Sequence, residues 1–188
     1  MARRGGNRVR IIGGRHRGRL LDFPGIPGLR PTGDRIRETL FNWLAPMIAG
    51  GRCLDLFSGS GALGFEAASR GADRVVMLER STEACRRLRA NATRLGVSNV
   101  QVEQADSLDW LARPASERFD IAFVDPPFGA AFHAEACRLL EQNGWLDEAA
   151  RIYLEYPAGE APELPENWAI LKQKRAGQVA YALAGRGD

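Results

Sequence analysis

The strongest constraint on the fold is the regular alternation of strand-like and helix-like segments that begins near residue 51. A buried-type strand at 52–57 runs into a glycine-rich turn, and further strand-like runs follow at 74–78, 100–103, 119–124, 151–155, 168–171 and 178–183. Helix-like stripes lie between most of them. Because strands that alternate with helices pair in parallel, the pattern predicts a doubly wound α/β sheet with helices on both faces. Ligands of such sheets bind beyond the carboxyl ends of the strands.

The amino-terminal part of the chain differs in charge from the rest. Residues 1–37 contain ten arginines and two acids, a net charge of +8, whereas residues 38–188 carry −5. Strand-like runs at 8–12 and 19–23 flank a glycine-containing segment and predict a small β-hairpin. Asp34 is expected to cap a helix that follows. We therefore divide the chain into a basic arm and hairpin (1–33) that faces RNA, and a sheet domain (34–188).

The cysteine content and the hydropathy of the chain indicate the cellular compartment in which the protein is expected. The three cysteines, Cys53, Cys85 and Cys137, are far apart, and the sequence has two histidines. This composition predicts neither a disulfide framework nor a zinc site, and it suits a reducing cytoplasm. No run approaches the roughly 18 apolar residues that a membrane span needs. Nothing in the pattern indicates an obligate dimer, so we expect a monomer without a bound metal.

The turn after the first sheet strand has the spacing of a cofactor loop. Gly59, Gly61 and Gly64 form GxGxxG between a strand and a helix, which fits a nucleotide cofactor or, alternatively, a tight turn without a ligand. Three acids, Asp55, Glu79 and Asp106, end successive strands. Asp55 would repel the pyrophosphate of NAD but attract the sulfonium and ammonium groups of S-adenosylmethionine. We therefore predict S-adenosylmethionine, bound by Asp55, Ser58, Gly59, Gly61, Glu79 and Asp106, although each acid alone could instead cap the next helix.

A second motif, Asp125-Pro126-Pro127-Phe128, follows the strand at 119–124. The two prolines end the strand and stiffen the backbone. The Asp125 carboxylate and the Pro126 carbonyl could each accept one N–H bond of an exocyclic amine on a nucleobase, which would direct its lone pair toward a methyl group. Phe128 could stack on the base. The alternative is a strand-terminating loop with an incidental acid. We predict that these four residues are catalytic.

Four segments resemble one bacterial enzyme family. They are LDLFSGSGALGFEAASRGA (54–72), VDPPF (124–128), RPTGDRIRETLFNWL (30–44) and GQVAYAL (177–183). The first and second resemble class I amino-methyltransferases of nucleic acids. With the third and fourth, nearly the whole chain resembles the 16S ribosomal RNA (guanine-966-N(2))-methyltransferases.

The resemblance implies more than the residues do by themselves. It implies a Rossmann-like sheet of seven strands with the last one antiparallel, and an RNA-facing hairpin. It also implies Gly59 and Gly61 beneath the methionine moiety, Glu79 at the ribose and Asp106 at the adenine. Residues 125–128 would hold the 2-amino group of the guanine. The substrate would be 16S rRNA within the small ribosomal subunit or its assembly intermediate.

Several assignments are open at this point. The candidate RNA-contacting residues are Arg8, Arg10, Arg15 and Arg17 of the arm, and Arg30, Thr32, Arg35 and Arg37 around the start of the next helix. Arg35 and Arg37 could equally lie on the solvated face of that helix, and His133 is expected on a helix surface. The rival functions are methylation of adenine in DNA or RNA or of a protein glutamine, an NAD-dependent oxidoreductase, and a non-catalytic RNA-binding module.

Overall fold

A computed structural model describes residues 7–127 and 130–187, and its amino-terminal part is a hairpin packed on the main sheet domain. Strands β1 (Asn7–Arg10) and β2 (Leu20–Phe23) pair antiparallel, with Val9 opposite Leu21. Their apolar side chains are buried in the same cluster as those of the following helix, α1 (Asp34–Ile48). The predicted hairpin is confirmed, and it shares its hydrophobic core with the sheet domain.

Helix α1 begins as its sequence predicts but is capped differently. Ile36, Leu40 and Leu44 recur at helical spacing and are buried. Gly33 is the N-cap residue and offers no side-chain hydrogen bond, so the prediction that Asp34 caps the helix is wrong. Asp34 is instead the first helical residue, and its carboxylate pairs with Arg37.

The main sheet has the predicted doubly wound form. Its strands are β3 (Arg52–Asp55), β4 (Arg74–Glu79), β5 (Val100–Gln104), β6 (Phe119–Val124), β7 (Leu146–Pro157), β8 (Trp168–Ala176) and β9 (Val179–Arg186). They lie in the order β5-β4-β3-β6-β7-β9-β8. The first five in that order are parallel, and β9 is antiparallel to both of its neighbours. The expected seven-stranded sheet with a reversed last strand is therefore confirmed.

Helices cover both faces of this sheet. The remaining helices are α2 (Ala62–Ser69), α3 (Thr82–Leu95), α4 (Ser107–Leu111) and α5 (Ala130–Gln142). One apolar cluster packs the hairpin, α1, α2 and α3 on one face, and a second packs α4 and α5 on the other. Gly96 ends α3 in the left-handed conformation with φ of 66°, as its place after the apolar stripe predicts. The one-turn helix α4 is missing from the sequence prediction.

The turn of the hairpin is fastened to the end of α2 by close backbone contact. The carbonyl oxygen of Ser69 accepts from the Arg15 N–H at 2.8 Å, and the Ser69 hydroxyl donates to the carbonyl of Gly13 at 2.6 Å. Gly14 has φ of +75°, and a Cβ there would lie 2.0 Å from the carbonyl oxygen of Ser69. Only glycine fits at this position.

A buried ion pair joins the hairpin, α1 and α2. The carboxylate of Glu66 accepts from the backbone N–H groups of Ile12 at 3.0 Å and Gly13 at 2.8 Å. It also pairs with Arg37 at 3.4 Å and with Arg70 at 2.8 Å. Arg37 is completely buried, and it donates to the carbonyl oxygens of Thr32 at 3.0 Å and of Arg10 at 2.9 Å. A single guanidinium thus connects four segments of the chain.

Replacing this guanidinium should destabilise the whole protein. Arg37→Met keeps much of the apolar volume but leaves Glu66 with less compensation, and removing one partner of a buried pair costs about 3 kcal/mol or more. We expect that loss in the free energy of unfolding, measured by urea denaturation. The exposed Arg35→Met is the matched control and should change little. Equal stability of both variants would contradict a central role for Arg37.

Candidate active site at the carboxyl edge of the sheet

A cleft of about 800 Å³ opens at the carboxyl ends of the parallel strands. Its walls come from residues 26–32, 55–60, 78–81, 105–107, 125–127 and 155–157, with side chains from α5 and the start of β9. The strands deliver these segments to one edge because their parallel registers align their carboxyl ends. Most of the predicted cofactor-binding and catalytic residues therefore meet in one cavity.

The glycine turn closes the cleft at the start of α2. Gly61 donates to the carbonyl of Ser58 at 2.7 Å and serves as the N-cap residue with φ of 81°. A Cβ at this glycine would lie 2.7 Å from atoms of both Leu88 and Phe65. Gly61 is therefore required by packing behind the cleft wall, while Gly59 and Ser58 line the cavity itself.

Asp55, at the end of β3, is the most deeply buried acid of the cleft, with 2% of its surface exposed. One of its carboxylate oxygens accepts from the Gly64 N–H at 3.1 Å, and its carbonyl accepts from the Ser58 hydroxyl at 3.1 Å. Burial raises the pKa of Asp55 to about 7, and the nearby Glu79 adds to the shift. The carboxylate is thus poised to ionise when a cation enters the cleft.

Glu79, at the end of β4, braces two loops of the cleft. Its two carboxylate oxygens accept from the backbone N–H groups of Gly59 at 3.0 Å and Ser81 at 2.8 Å. Each carboxylate oxygen has more than one acceptor site, so both can still receive hydroxyl donors from a ligand. The side chain of Glu79 therefore holds two loops in place and can still accept hydrogen bonds from a ligand.

Asp106, after β5, is exposed and is the N-cap residue of α4. Its Oδ1 atom accepts from the backbone N–H groups of Leu108 at 2.9 Å and Asp109 at 3.2 Å. The capping interpretation of this acid is confirmed, and it is compatible with ligand binding because Oδ2 is not used in these bonds. Ser107 next to it donates its hydroxyl to the carbonyl of Leu56 and so fastens α4 to β3.

Asp125 lies directly after β6 at the centre of the cleft. Its Oδ2 accepts from the Thr32 hydroxyl at 3.2 Å. Burial raises the pKa of Asp125 well above its usual range, and the neighbouring carboxylate of Glu155 raises it further. Pro126 is buried beside it, and Pro127 is exposed. The remaining residue of the tetrapeptide, Phe128, lies outside the described residues.

Three residues near Asp125 are not among the predicted site residues. Glu155 of β7 lines the cleft, and its Oε2 accepts from the hydroxyl of the buried Tyr153 at 2.8 Å. His133 of α5 is buried, and its Nε2 donates to the backbone carbonyl of Glu155 at 2.6 Å. The prediction of a surface position for His133 is therefore wrong. Glu155 could have been found, because it is the last residue of the strand-like run at 151–155, and Asp125 likewise stands at the carboxyl end of such a run.

The candidate RNA-contacting residues separate into three groups. Arg30 is exposed and lines the cleft, and Thr32 is buried against Asp125. The other exposed candidates are Arg8, Arg10, Arg15, Arg17 and Arg35, of which Arg8 pairs with Asp22 at 2.9 Å. Arg37 is completely buried and bonded to carbonyls and carboxylates, so its prediction as an RNA contact or a solvated side chain is wrong.

Three other structural facts bear on the function. No helix in the described part of the chain is both long enough and apolar enough to cross a membrane. Within residues 7–127 and 130–187, no group of three or more histidine, cysteine or acidic side chains could hold a metal ion. None of the cleft acids described above has a salt bridge with a described side chain.

The strand order and the position of the cleft indicate the fold of the class I methyltransferases. Comparison with solved structures gives the same fold. The solved structure of the Escherichia coli protein yhhF has a TM-score of 0.91 and 43% identity, with 96% of this chain and 99% of that chain covered. A ribosomal protein L11 methylase from Lactobacillus delbrueckii subsp. bulgaricus, at 18% identity and a TM-score of 0.68, shares the fold alone.

Sequence comparison then narrows the class to a family. The chain belongs to the family described as Conserved hypothetical protein 95, which matches residues 9–185. It is similar to "Ribosomal RNA small subunit methyltransferase D" of Escherichia coli strain K12, with 46% identity over 97% of this chain and 92% of that protein. The protein of the same name from Haemophilus influenzae is 47% identical over 93% of this chain and 92% of its own length.

The ionisation of Asp55 gives the cleft a testable pH dependence. Its native pKa of about 7 lies above its ordinary value of 3.8, so between these pH values the native state holds a proton that the unfolded chain has released. The stability of the wild type should therefore fall as pH rises through this window. Asp55→Asn cannot ionise but can still accept from Gly64. In thermal unfolding without ligand, the advantage of the variant should grow from about pH 4 to pH 7 and then level off. A difference independent of pH would contradict the raised pKa.

Proposed function

We propose that this protein transfers a methyl group from S-adenosylmethionine to the exocyclic 2-amino group of guanine-966 in the 16S rRNA of the small ribosomal subunit. The observation that carries the proposal is the position of Asp125, which lies in the same cleft as the acids that end β3 and β4 and the acid that follows β5. The similarity to two proteins named for methylation of small-subunit ribosomal RNA supports the choice of substrate. We place the reaction in the cytoplasm, with a monomeric enzyme.

The cleft fits a cationic cofactor better than an anionic one. Asp55, Glu79 and Asp106 all line it, and no salt bridge to a described side chain neutralises them. These carboxylates would repel a pyrophosphate and favour the positive groups of S-adenosylmethionine. Glu79 is placed to accept from ribose hydroxyls and Asp106 from the adenine amino group. When bound, the cofactor would supply an electrophilic methyl group on a sulfonium, and its sulfur would keep the electron pair of the broken S–C bond as a neutral thioether.

Asp125 prepares the amine of the substrate for attack. The lone pair of an exocyclic amine is delocalised into the base, which makes the nitrogen a poor nucleophile. The carboxylate of Asp125 and the carbonyl of Pro126 can each accept one N–H bond and so turn the lone pair toward the methyl group. As the N–C bond forms, positive charge develops on the nitrogen, and Asp125 stabilises that charge. The nitrogen then releases one proton, which this carboxylate is placed to accept.

The segment before α1 supports this arrangement. Thr32 donates its hydroxyl to Asp125, and the carbonyl of Thr32 accepts from the buried Arg37. The catalytic carboxylate is therefore oriented by a chain of hydrogen bonds that begins in the hairpin. Arg30 is exposed at the rim of the cleft and is suited to a phosphate of the target nucleotide.

The direct test is methylation of small subunits that lack this modification. We expect incubation with labelled S-adenosylmethionine to place one methyl group on guanine-966, identified by nucleotide mapping. Thermal unfolding should also show stabilisation by S-adenosylmethionine and none by NAD, because only a ligand that binds the native state raises its stability. Transfer to an adenine, or to no RNA base at all, would contradict the proposal.

Asp125→Asn separates catalysis from cofactor binding. The amide retains the size of the side chain but loses the charge that stabilises the developing cation, so turnover should fall by about 10²–10³-fold. The affinity for S-adenosylmethionine, measured by calorimetry, should be nearly unchanged because Asp125 contacts the amine. A parallel loss of turnover and cofactor affinity would show that Asp125 belongs to the cofactor site instead.

The basic arm should contribute to RNA affinity through charge. Arg10, Arg15 and Arg17 are exposed on the hairpin, and their triple substitution by glutamine removes three cations while keeping the backbone contacts of the arm. The RNA dissociation constant should rise, and its salt dependence should flatten by about 0.7 in the log–log slope for each phosphate that the variant no longer neutralises. The control removes three exposed arginines of the sheet domain that lie away from the cleft, Arg113, Arg118 and Arg138. Equal slopes for both triple variants would rule out the arm as the RNA-facing surface.

A further inference from the structure

Two acids stand side by side at the centre of the cleft, and the proposed function uses one of them. Strands β6 and β7 are parallel neighbours, with Val124 in register with Leu154. The next residues along the two strands are Asp125 and Glu155, which therefore point to the same face of the sheet. Both line the cleft. A base whose amine meets Asp125 would also meet Glu155.

The carboxylate of Glu155 is held in a defined orientation. Its Oε2 accepts from the hydroxyl of Tyr153, which is itself completely buried. The backbone carbonyl of the same residue accepts from the buried His133. One oxygen of the carboxylate is thereby anchored, and the carboxylate has further acceptor sites for a ligand in the cleft.

Among the described side chains, the hydrogen-bond donors to this pair of acids are the hydroxyls of Thr32 and Tyr153. The hydroxyl of Thr32 donates to Asp125 and also lowers the pKa of Glu155. Burial raises the pKa of both acids, and no salt bridge to a described side chain offsets it. A ligand that brings several adjacent N–H groups would satisfy the pair.

Among the RNA bases, guanine presents such an edge. Its Watson–Crick edge carries the N1–H donor directly beside the two N–H bonds of the 2-amino group. In adenine and cytosine, the exocyclic amine stands next to a ring nitrogen that is an acceptor. That acceptor would face a carboxylate without a hydrogen between them, which is repulsive. An ionised acidic pair therefore matches guanine and rejects the other amino-bearing bases.

We propose that Glu155 accepts the N1–H of the target guanine while Asp125 accepts from its 2-amino group, so that Glu155 determines the selection of guanine over adenine. This inference rests on the proposed function and adds the residue that reads the base. A site built to pair with a donor discriminates against a base that lacks it by up to about 10⁴-fold. Tyr153 acts as a positioning residue, because its hydroxyl orients the carboxylate of Glu155.

The test replaces the target guanine with 2-aminopurine, which keeps the 2-amino group but has an acceptor at N1. Small subunits are reconstituted with 16S rRNA that carries either base at the methylated position. The wild type should strongly prefer guanine. Glu155→Gln keeps an acceptor for Tyr153 and can donate to the N1 acceptor. Its kcat/KM for guanine should fall by about 10²-fold, with little loss for 2-aminopurine, so that the preference shrinks by roughly that factor.

The comparison of two bases distinguishes base reading from a structural role. An equal loss on both bases would overturn the assignment of Glu155, whereas failure of the wild type to methylate guanine would overturn the proposed function itself. The exposed Glu160→Gln is the matched control and should retain the full preference. If Glu155→Gln does not fold, Tyr153→Phe leaves the carboxylate without its anchor and should shrink the preference by about tenfold. An unchanged preference in that variant would also overturn the inference.

Discussion

The buried ion pair between Arg37 and Glu66 is the contact on which the remaining architecture depends. The carboxylate of Glu66 accepts hydrogen bonds from two backbone N–H groups of the hairpin, and Arg37 donates to the carbonyl of Thr32. The hydroxyl of Thr32 in turn reaches Asp125. A buried pair of this kind adds little stability compared with apolar side chains, but it fixes direction, since every donor must meet an acceptor. Here it aligns the hairpin, α1 and α2 with the acid at the end of β6.

The carboxyl edge of the sheet brings like charges together, and their repulsion lowers the stability of the native state. Asp55, Glu79, Asp125 and Glu155 all line one cleft, and burial with mutual repulsion raises the pKa of Asp55, Asp125 and Glu155. Such an arrangement lowers the stability of the native state as pH rises above the ordinary pKa of a carboxyl group. Ligands that carry positive charge or N–H donors relieve this repulsion, so the same electrostatics favour the proposed sulfonium cofactor and the proposed amine-bearing base.

Sequence reasoning predicts what is local and fails where partners come from distant segments. The glycine turn, the reversed last strand and the acids that end the strands all follow from spacing, alternation or resemblance. The burial of Arg37 does not, because its partner Glu66 lies 29 residues away and an arginine beside an apolar stripe ordinarily remains solvated. His133 is misplaced for the same reason, since its bond to Glu155 depends on how α5 packs on β7. The short helix α4 escapes detection because five residues carry no periodic signal.

The contact of Gly14 with the end of α2 has a consequence for how this protein can change over evolution or by engineering. The hairpin cannot be treated as a detachable module. Its removal would strip Glu66 of two hydrogen-bond donors and expose the apolar residues that Val9 and Leu21 cover. A change in the backbone of the arm would therefore affect the packing of the core as well as the proposed contact with RNA. The outward-facing side chains of the arm are free to vary, but its backbone path is not.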